Sequence, residues 1–394
     1  MRAEEQNAAE ITYEDLIHVG PGTVAGRYLR MFWQPFWRSQ DLEPGQVVPV
    51  KLLGEKFALY RGETGTAHLL AWRCAHRGAP LYVGAVEDDC LRCMYHGWKY
   101  EGSSGQCVEQ PGEEGTLAFR ASVRSYPTRE YLGLIFAYFG EGEPPPFRQF
   151  ADMDEPGVFE ACVPEYWPCS YFNRIDNGCD LAHVAFTHRE ALLRANRRER
   201  LSTPPIKAEE TEYGVHMSCE EPPHETHFHM PNTNLVRAHV RVEGSLEDAA
   251  TLEVSRISWR VPVDDENTVS LSVDLTHVTG EDAEKYRERR KETEDLAQAL
   301  SPPALGEAIL AGKIREKDLD GRLSSAALFS VEDYLMQVGQ GALDRSQDRL
   351  GRIDVGVLLL RKIWQRELKA MVEGRPIKRW NSPGKIMSPV RWKR

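Results

Sequence analysis

Apolar and polar positions alternate in short runs along residues 45–145. The runs VVPVKLL, FALYRG, HLLAW and LGLIFAYFG are rich in β-branched and aromatic residues, and glycines separate them. Short strands joined by regular turns are typical of a small β-sandwich or barrel. The proline- and glycine-rich segment GEGEPPPF at 140–147 indicates where this unit ends. We therefore predict an all-β domain over 45–145.

Residues 146–394 combine two periodicities. Strand-like alternation predicts strands at 206–219, 226–243, 250–262 and 266–278. Helical periodicity and capping residues predict helices at about 177–195, at 280–300, from near Ser330, and from about Asp354 to Glu373. The sequence thus predicts an α+β fold, whose second domain is an antiparallel sheet with helices on its faces. Residues 1–44 are predicted to be a lead-in segment that packs on this second domain.

Composition and charge narrow the class of protein. The chain has 394 residues, of which 41% are hydrophobic and 28% are charged, and its formal net charge is -11. An acidic chain is a poor match for nucleic acid or an anionic membrane. No apolar run approaches the roughly 18–20 residues of a membrane helix, and the N-terminus lacks the apolar segment of a secretory signal. We expect a cytoplasmic protein that binds neither nucleic acid nor membrane.

Cysteine and histidine occur together in two short segments. WRCAHRGAPL contains Cys74 and His76, and CMYHGW contains Cys93 and His96. Two such loops suit a tetrahedral zinc ion, or a [2Fe–2S] cluster with two thiolates on one iron and two imidazoles on the other. Zinc more often occurs with C-x-x-C pairs. Cys90 does form such a C-x-x-C spacing with Cys93 and is a competing candidate.

C-x-H-R-G followed by C-x-Y-H-G-W resembles the signature of the Rieske [2Fe–2S] domains of ring-hydroxylating and demethylating oxygenases. The resemblance implies that Cys74 and Cys93 hold one iron as thiolates. It also implies that His76 and His96 hold the other iron near the protein surface. Cys90 would then belong to the strand that leads into the second loop.

A second constellation lies in DNGCDLAHVAFTH at 176–188. Asp180 and His183 are three residues apart and would share one face of a helix. His183 and His188 are five apart, so the helix must end or bulge between them if both bind one metal. A structural histidine pair is the alternative. The segment resembles N-x-x-D-x-x-H-x4-H, the mononuclear iron motif of the same oxygenases.

A third ligand must come from elsewhere in the chain, because two imidazoles and one carboxylate are the set that leaves positions open on Fe(II). The family supplies it from a C-terminal helix, which points to LFSVEDYLMQ. The resemblance favours Asp333, with Glu332 as the alternative ligand. Ser330 and Asp333 also have capping-box spacing, so the competing interpretation is that Asp333 only caps the helix.

The resemblance assigns roles to two further residues of the motif. Asp180 would not bind iron but would join His183 to His96 of a neighbouring subunit, which implies a head-to-tail homotrimer. Asn177 would be a polar residue beside the iron, with a helix N-cap as the alternative. His227 and His229 in HETHFHMPN alternate on a predicted strand, and we interpret them as strand-face or pocket residues, since no carboxylate spacing supports a metal site.

The resemblance extends to VGPGTVAGRYLRMFWQPF and GALDRSQDRLGRIDVGV, which are similar to phthalate-dioxygenase-like and aromatic O-demethylase-like enzymes. It implies a terminal oxygenase with a helix-grip-like catalytic domain over 146–394. Such an enzyme uses O2 and reductase-supplied electrons to hydroxylate or O-demethylate an aromatic substrate, here an aromatic carboxylate. Because the chain has no G-x-G-x-x-G fingerprint, NAD(P)H would act through a separate reductase with flavin and a ferredoxin-type cluster. A non-aromatic or N-methyl substrate, a pure electron-transfer protein and a zinc-binding protein are the alternatives.

Overall fold

The protein is described by a computed structural model. It covers residues 10–113, 120–194, 198, 201–203, 205–220, 223–241, 251–288, 301–319, 323, 325–341, 345–382 and 384–387. Within these residues the N-terminal third is built from small antiparallel sheets, and the rest of the chain from one large antiparallel sheet with helices. The α+β prediction is therefore confirmed.

The first eleven strands form three small sheets, with the orders β1-β11-β10, β2-β3-β4-β9 and β5-β6-β7-β8. β1 begins before residue 45 and pairs with β11. The predicted domain boundaries stay predictions. The strands are β1 Trp33–Arg38, β2 Val47–Leu52, β3 Glu55–Arg61, β4 Ala67–Ala71, β5 Ala85–Glu87, β6 Cys90–Arg92, β7 Lys99–Glu101, β8 Cys107–Glu109, β9 Ser125–Tyr126, β10 Thr128–Tyr131 and β11 Leu134–Tyr138.

The large sheet has eight strands in the order β12-β19-β18-β17-β16-β15-β14, with β13 also pairing with β19. Two predicted strands are each divided. A turn at Thr211–Gly214 separates β14 from β15, and a turn at 230–232 separates β16 from β17. The predicted ends at 242–243 and 250 lie outside the described residues. The strands are β12 Val158–Ala161, β13 Glu165–Trp167, β14 Lys207–Glu210, β15 Gly214–Glu220, β16 Pro223–His229, β17 Thr233–Arg241, β18 Thr251–Pro262 and β19 Thr268–Thr276.

The helices differ from the prediction at two places. The single helix expected at 177–195 is instead three short helices, and the helix expected from near Ser330 begins at Ser325. Residues 281–288 are helical, and the remainder of the helix predicted at 280–300 lies outside the described residues. The helices are α1 Tyr13–Ile17, α2 Val24–Arg30, α3 Tyr171–Gly178, α4 Val184–Thr187, α5 Arg189–Arg194, α6 281–288, α7 Pro302–Leu310, α8 Ser325–Gly339 and α9 Val355–Val372.

Aromatic packing joins the N-terminal helices to the C-terminal one. The buried ring of Trp364 in α9 lies 5.1 Å from the ring of Tyr28 in α2 and 5.6 Å from that of Phe172 in α3, measured between centroids. Burying a side chain such as Phe172 contributes about 1.5–3 kcal/mol. This contact fixes α3, whose C-terminal end leads directly into the segment that contains both histidines of the second motif.

In the part of the chain that the structure describes, no helix has both the length and the apolar composition needed to cross a membrane.

Candidate metal centres

Two turns of the same construction carry the first motif. The backbone N–H of Gly78 donates to the carbonyl of Cys74 over 2.9 Å, and that of Gly97 donates to the carbonyl of Cys93 over 3.0 Å. Both glycines have positive φ, 74° and 76°, a conformation that glycine adopts without a steric penalty. Each turn therefore presents its first residue inward and its next residues outward.

The four predicted cluster residues divide by burial. Cys74 and Cys93 are only 4% and 2% exposed, whereas His76 and His96 are exposed on the outer side of the turns. The two imidazole rings lie 4.6 Å apart between centroids. Two inner thiols and two outer imidazoles are the donor set of a Rieske cluster, whose two irons have different ligands. The residues present therefore fit this group.

Neighbouring side chains support these four residues. The hydroxyl of Tyr100 lies 3.0 Å from Cys74 Sγ, and the Trp98 ring stacks on His76 with centroids 4.7 Å apart. Burial raises the pKa of the Cys93 thiol, which favours the neutral form until a metal ion stabilises the thiolate. The sequence interpretation did not include Tyr100. The only feature of the sequence that could have pointed to Tyr100 is its position in the strand directly after the second motif.

Cys90 lies in β6, opposite Glu87 of β5 and Glu101 of β7. It is partly buried, in contrast to the two buried cysteines of the turns. Its place in the strand that leads into the second turn is the place predicted from the sequence.

The second motif and the distant acid converge at one point. Asp333 Oδ1 lies 3.8 Å from His183 Nε2 and 3.4 Å from His188 Nε2, and one ligand atom of each residue lies within 4.8 Å of the other two. Donors that each lie about 2.0–2.2 Å from one ion are separated by roughly these distances. Two imidazoles and one carboxylate are the set that suits non-haem Fe(II) with open positions. The residues present therefore fit a mononuclear iron.

A break in the helix brings the two histidines together. α4 begins after His183 and ends at Thr187, immediately before His188. The interruption that the five-residue spacing required is therefore present. The cause lies upstream, where Asp180 Oδ1 accepts hydrogen bonds from the backbone N–H groups of Ala182, at 2.8 Å, and His183, at 3.2 Å. A side chain that captures backbone donors competes with a continuous helix.

The predicted relation between Asp180 and His183 was wrong in one respect. The two residues do not share a helix face, because α3 has already ended at Gly178. The backbone carbonyl of Asp180 contacts His183 Nδ1, while its carboxylate Oδ2 lies 4.0 Å from that nitrogen. Within the described residues Oδ2 accepts no hydrogen bond.

Glu332 and Asp333 have separate positions on α8. Glu332 Oε2 accepts a hydrogen bond of 3.0 Å from His188 Nδ1, and its Oε1 accepts one of 3.2 Å from the N–H of Ala191. Asp333 faces the opposite nitrogen of the same imidazole. Ser330 lies inside α8 and bonds to Glu165, so Asp333 does not cap the helix.

Asn177 lies near the C-terminal end of α3, where its Nδ2 donates to Asp333 Oδ1 over 3.3 Å. The N-cap interpretation is wrong, because Ser170 caps this helix.

Burial acts to lower the pKa of His188, but hydrogen bonds to Asp333 and Glu332 outweigh it and raise the pKa to about 9. Burial acts to raise the pKa of Asp333, but His188 and His183 hold it well below its usual range. Two carboxylates thus lie against one imidazole, which gives the site an excess of negative charge.

Two arginines, Arg174 of α3 and Arg260 of β18, lie within the electrostatic influence of Asp333. Arg174 donates to Gln337 and to Ser270, both over 2.8 Å, and is buried. The backbone of Arg260 in β18 pairs with Asn232, but its guanidinium makes no hydrogen bond or ion pair within the described part of the chain. Burial and the neighbouring charge of Arg174 lower the pKa of Arg260 to about 9, so it remains a cation at neutral pH. The sequence interpretation missed both arginines. Arg174 lies on α3, and the register of β18 brings Arg260 within the electrostatic influence of Asp333.

His227 and His229 lie on one face of β16 and are both buried. Burial lowers the pKa of His227 to about 4 and that of His229 well below its usual range, so both are neutral. The strand-face interpretation agrees with this arrangement. The statement that no carboxylate supports a metal site was wrong, because Glu225 points to the same face as His227.

Comparison with protein families gives two matches along the chain. The model of the Rieske [2Fe-2S] domain matches residues 32–127, and that of the vanillate O-demethylase oxygenase C-terminal domain matches residues 167–285. The first range contains both Cys–His turns, and the second contains His183 and His188.

Characterised proteins are similar over different lengths. The 5,5'-dehydrodivanillate O-demethylase oxygenase subunit of Sphingobium sp. (strain NBRC 103272 / SYK-6) is 29% identical over 385 residues, which are 95% of this chain and 82% of that one. The 3-chlorobenzoate-3,4-dioxygenase oxygenase subunit of Comamonas testosteroni is 34% identical, but over 44% of this chain and 41% of its own.

Solved structures share the fold. Pseudomonas putida CBB5 NdmA superposes with a TM-score of 0.64 at 19% identity, covering 88% of this chain and 93% of its own. The carbazole-bound oxygenase of carbazole 1,9a-dioxygenase was solved in complex with ferredoxin. It superposes with a TM-score of 0.64 at 17% identity, covering 89% of this chain and 94% of its own.

Proposed function

The chain belongs to the Rieske oxygenases, and from this premise we propose that it is the terminal oxygenase of an aromatic O-demethylase. The observation that carries the proposal is the similarity to a dehydrodivanillate O-demethylase oxygenase subunit along 95% of this chain. The C-terminal domain match, to a vanillate O-demethylase oxygenase, supports the same reaction class. The substrate we propose is an aromatic ring that bears a methoxyl group and a carboxylate.

We assign the metal ligands as follows. Cys74 and Cys93 bind the inner iron of the [2Fe–2S] cluster, and His76 and His96 bind its outer iron. When bound, the cluster relays single electrons, and the mononuclear iron activates O2 beside the substrate. The mononuclear iron is held by His183, His188 and Asp333, whose donor atoms already converge.

Other side chains hold these ligands in position. Glu332 fixes the orientation and tautomer of His188 by accepting its Nδ1–H. Asn177 donates to Asp333 Oδ1, which orients the carboxylate. Asp180 fixes the turn before His183 and leaves Oδ2 available to a neighbouring subunit. We propose that it accepts a hydrogen bond from His96 of that subunit, in a head-to-tail homotrimer.

Arg260 is the residue we propose to bind the substrate carboxylate. Its guanidinium lies within the electrostatic influence of Asp333 and has no partner among the described residues. A guanidinium binds a carboxylate through two parallel charge-assisted hydrogen bonds, which fix direction as well as position. A ring anchored in this way would present its methoxyl group at a set distance from the three iron ligands.

The reaction balances with one reductant. One aryl methyl ether, one O2, one NAD(P)H and one proton give one phenol, one formaldehyde, one NAD(P)+ and one water. Because the chain has no dinucleotide fingerprint, the electrons come from a separate reductase with flavin and a ferredoxin-type cluster. The exposed imidazole of His76 is the docking point we propose for that partner, since His96 is assigned to the contact between subunits.

Ring dihydroxylation is the second candidate, because a dioxygenase subunit is 34% identical over part of the chain. A panel of methoxylated and unmethoxylated aromatic acids, with a surrogate reductase and NADH, separates the two reactions. We expect one formaldehyde for each NADH consumed on a methoxybenzoate. Formation of a dihydrodiol without formaldehyde would show that the enzyme dihydroxylates the ring instead of removing the methyl group. No turnover of any aromatic acid would overturn the proposed substrate class.

A further inference from the structure

A second group of metal-binding side chains lies on the other face of the large sheet. Phe228 and its cross-strand partner Asn234 face α3, where Asn234 donates to the carbonyl of Gly178. His227, the next residue in β16, therefore points away from α3. His216 of β15 lies directly opposite His227, and their rings stack with centroids 4.7 Å apart and an angle of 10°.

In both histidines one ring nitrogen is engaged and the other is not. His216 Nδ1 lies 3.0 Å from Glu209 Oε1, and His227 Nδ1 lies 2.7 Å from the hydroxyl of Tyr213. The Nε2 atoms of both rings are buried and have no hydrogen-bond partner. The side chain of His227 is only 5% exposed, and a buried polar atom without a partner is rare in a folded protein.

Glu225 lies two residues before His227, so its side chain points to the same face of the sheet. Its Oε2 is 3.6 Å from His216 Nε2 and 4.0 Å from His227 Nε2. Both separations are too long for hydrogen bonds. They are close to the spacing of donors that surround one ion at about 2.0–2.2 Å.

We propose that His216, His227 and Glu225 bind a divalent transition-metal ion of the zinc type, separate from the two iron centres. The engaged Nδ1 atoms fix each imidazole with Nε2 directed at the ion, an arrangement typical of metal-bound histidine. His216 and Glu225 are 23% and 30% exposed, so the ion has access from solvent. With three protein ligands, the fourth position holds water.

The consequence of this site is structural. The ion links β15 to β16 at a cross-strand pair, close to the edge of the large sheet that β14 forms. An ion that binds only the folded protein raises its thermal stability by mass action. We therefore expect added zinc to raise the melting temperature of the protein without changing its iron content.

The test uses the iron-loaded oxygenase and zinc chloride. The protein is dialysed against micromolar Zn2+, bound zinc and iron are counted by plasma mass spectrometry, and a crystal of the same sample is measured at the zinc absorption edge. The variants are His216→Ala and Glu225→Gln, the second of which keeps the side-chain shape. The control is His18→Ala, because both ring nitrogens of His18 are already bonded, to Asp265 at 2.8 Å and to Glu14 at 3.0 Å.

We expect one zinc per chain with the iron content unchanged, an anomalous peak between His216, His227 and Glu225, and loss of this zinc in both variants but not in the control. No anomalous peak at these residues in the wild-type crystal overturns the proposal. So does zinc binding that both variants retain, or zinc that appears only as iron is lost. An unchanged content of mononuclear iron, whose ligands lie in the same part of the chain as the substitutions, reports that each variant is folded.

Discussion

Glu332 and His188 are joined by a hydrogen bond of 3.0 Å between Oε2 and Nδ1, while the next residue of the same helix faces the opposite nitrogen of that imidazole. Two adjacent acids thus act on the two nitrogens of one histidine. From the sequence, Asp333 was the favoured iron ligand and Glu332 the alternative. The direction in which each side chain leaves α8 supports our proposal that Asp333 binds the metal and that Glu332 positions His188.

The first prediction concerns Glu332. Glu332→Gln keeps the size of the side chain but removes the charge that orients His188, so we expect iron affinity at the mononuclear centre to fall about 10–100-fold. Iron content after dialysis at fixed free Fe2+ measures this, and the Rieske absorbance should stay unchanged. An affinity equal to that of the wild type would show that Glu332 is only a buried hydrogen-bond partner.

The second prediction concerns Asp180. Asp180→Asn should leave both metal centres occupied but slow the transfer of an electron from the reduced cluster by about 10–100-fold, as for other residues that support a metal ligand. Stopped-flow reoxidation of the reduced protein with substrate and O2 measures this rate. If the rate is normal in a trimer with full iron content, the bridging role is excluded.

The third prediction concerns Arg260. Losing a hydrogen bond to a charged group costs about 1.5–3 kcal/mol, so Arg260→Gln should raise KM for a carboxylated substrate roughly 10–150-fold. KM for the methyl ester of the same substrate should change little. Arg256→Gln is the matched control, because Arg256 on the same strand is paired with Asp274. Equal effects of the two variants would argue against a carboxylate anchor.

The fourth prediction separates the two cysteines of the C-x-x-C spacing. Cys90→Ser should retain the cluster, because Cys90 lies within β6 and outside the turn that carries Cys93. Cys93→Ser should lose it, because a hydroxyl does not replace a thiolate ligand. The visible absorbance of the purified proteins gives the answer. A colourless Cys90→Ser variant would assign Cys90 to the cluster.

Local motifs can be read from the sequence where the chain itself sets the spacing. The four residues of the Rieske turns lie within a few positions of each other in two tight turns, so sequence and space coincide. The continuous helix at 177–195 was predicted wrongly, because periodicity does not show that Asp180 removes two backbone donors from the helix. The choice between Asp333 and Glu332 was left open, because sequence alone does not fix how α8 is rotated.

The residues that were missed come from tertiary register. Arg260 comes within the electrostatic influence of Asp333 only through the position of β18 in the sheet. Similarly, His216 meets Glu225 and His227 only because β15 pairs with β16 in one particular register. A shift of one residue would turn His227 to the opposite face.

The assignment of Asp333 to the mononuclear iron is tested most directly by the iron content and EPR spectrum of Asp333→Ala, with Glu332→Gln measured in parallel. We predict that Asp333→Ala keeps the Rieske EPR signal after reduction, loses the one iron per chain that is not in the cluster, and has no turnover on any aromatic ether. An Asp333→Ala protein that retains that iron and its activity would contradict the assignment of the mononuclear centre.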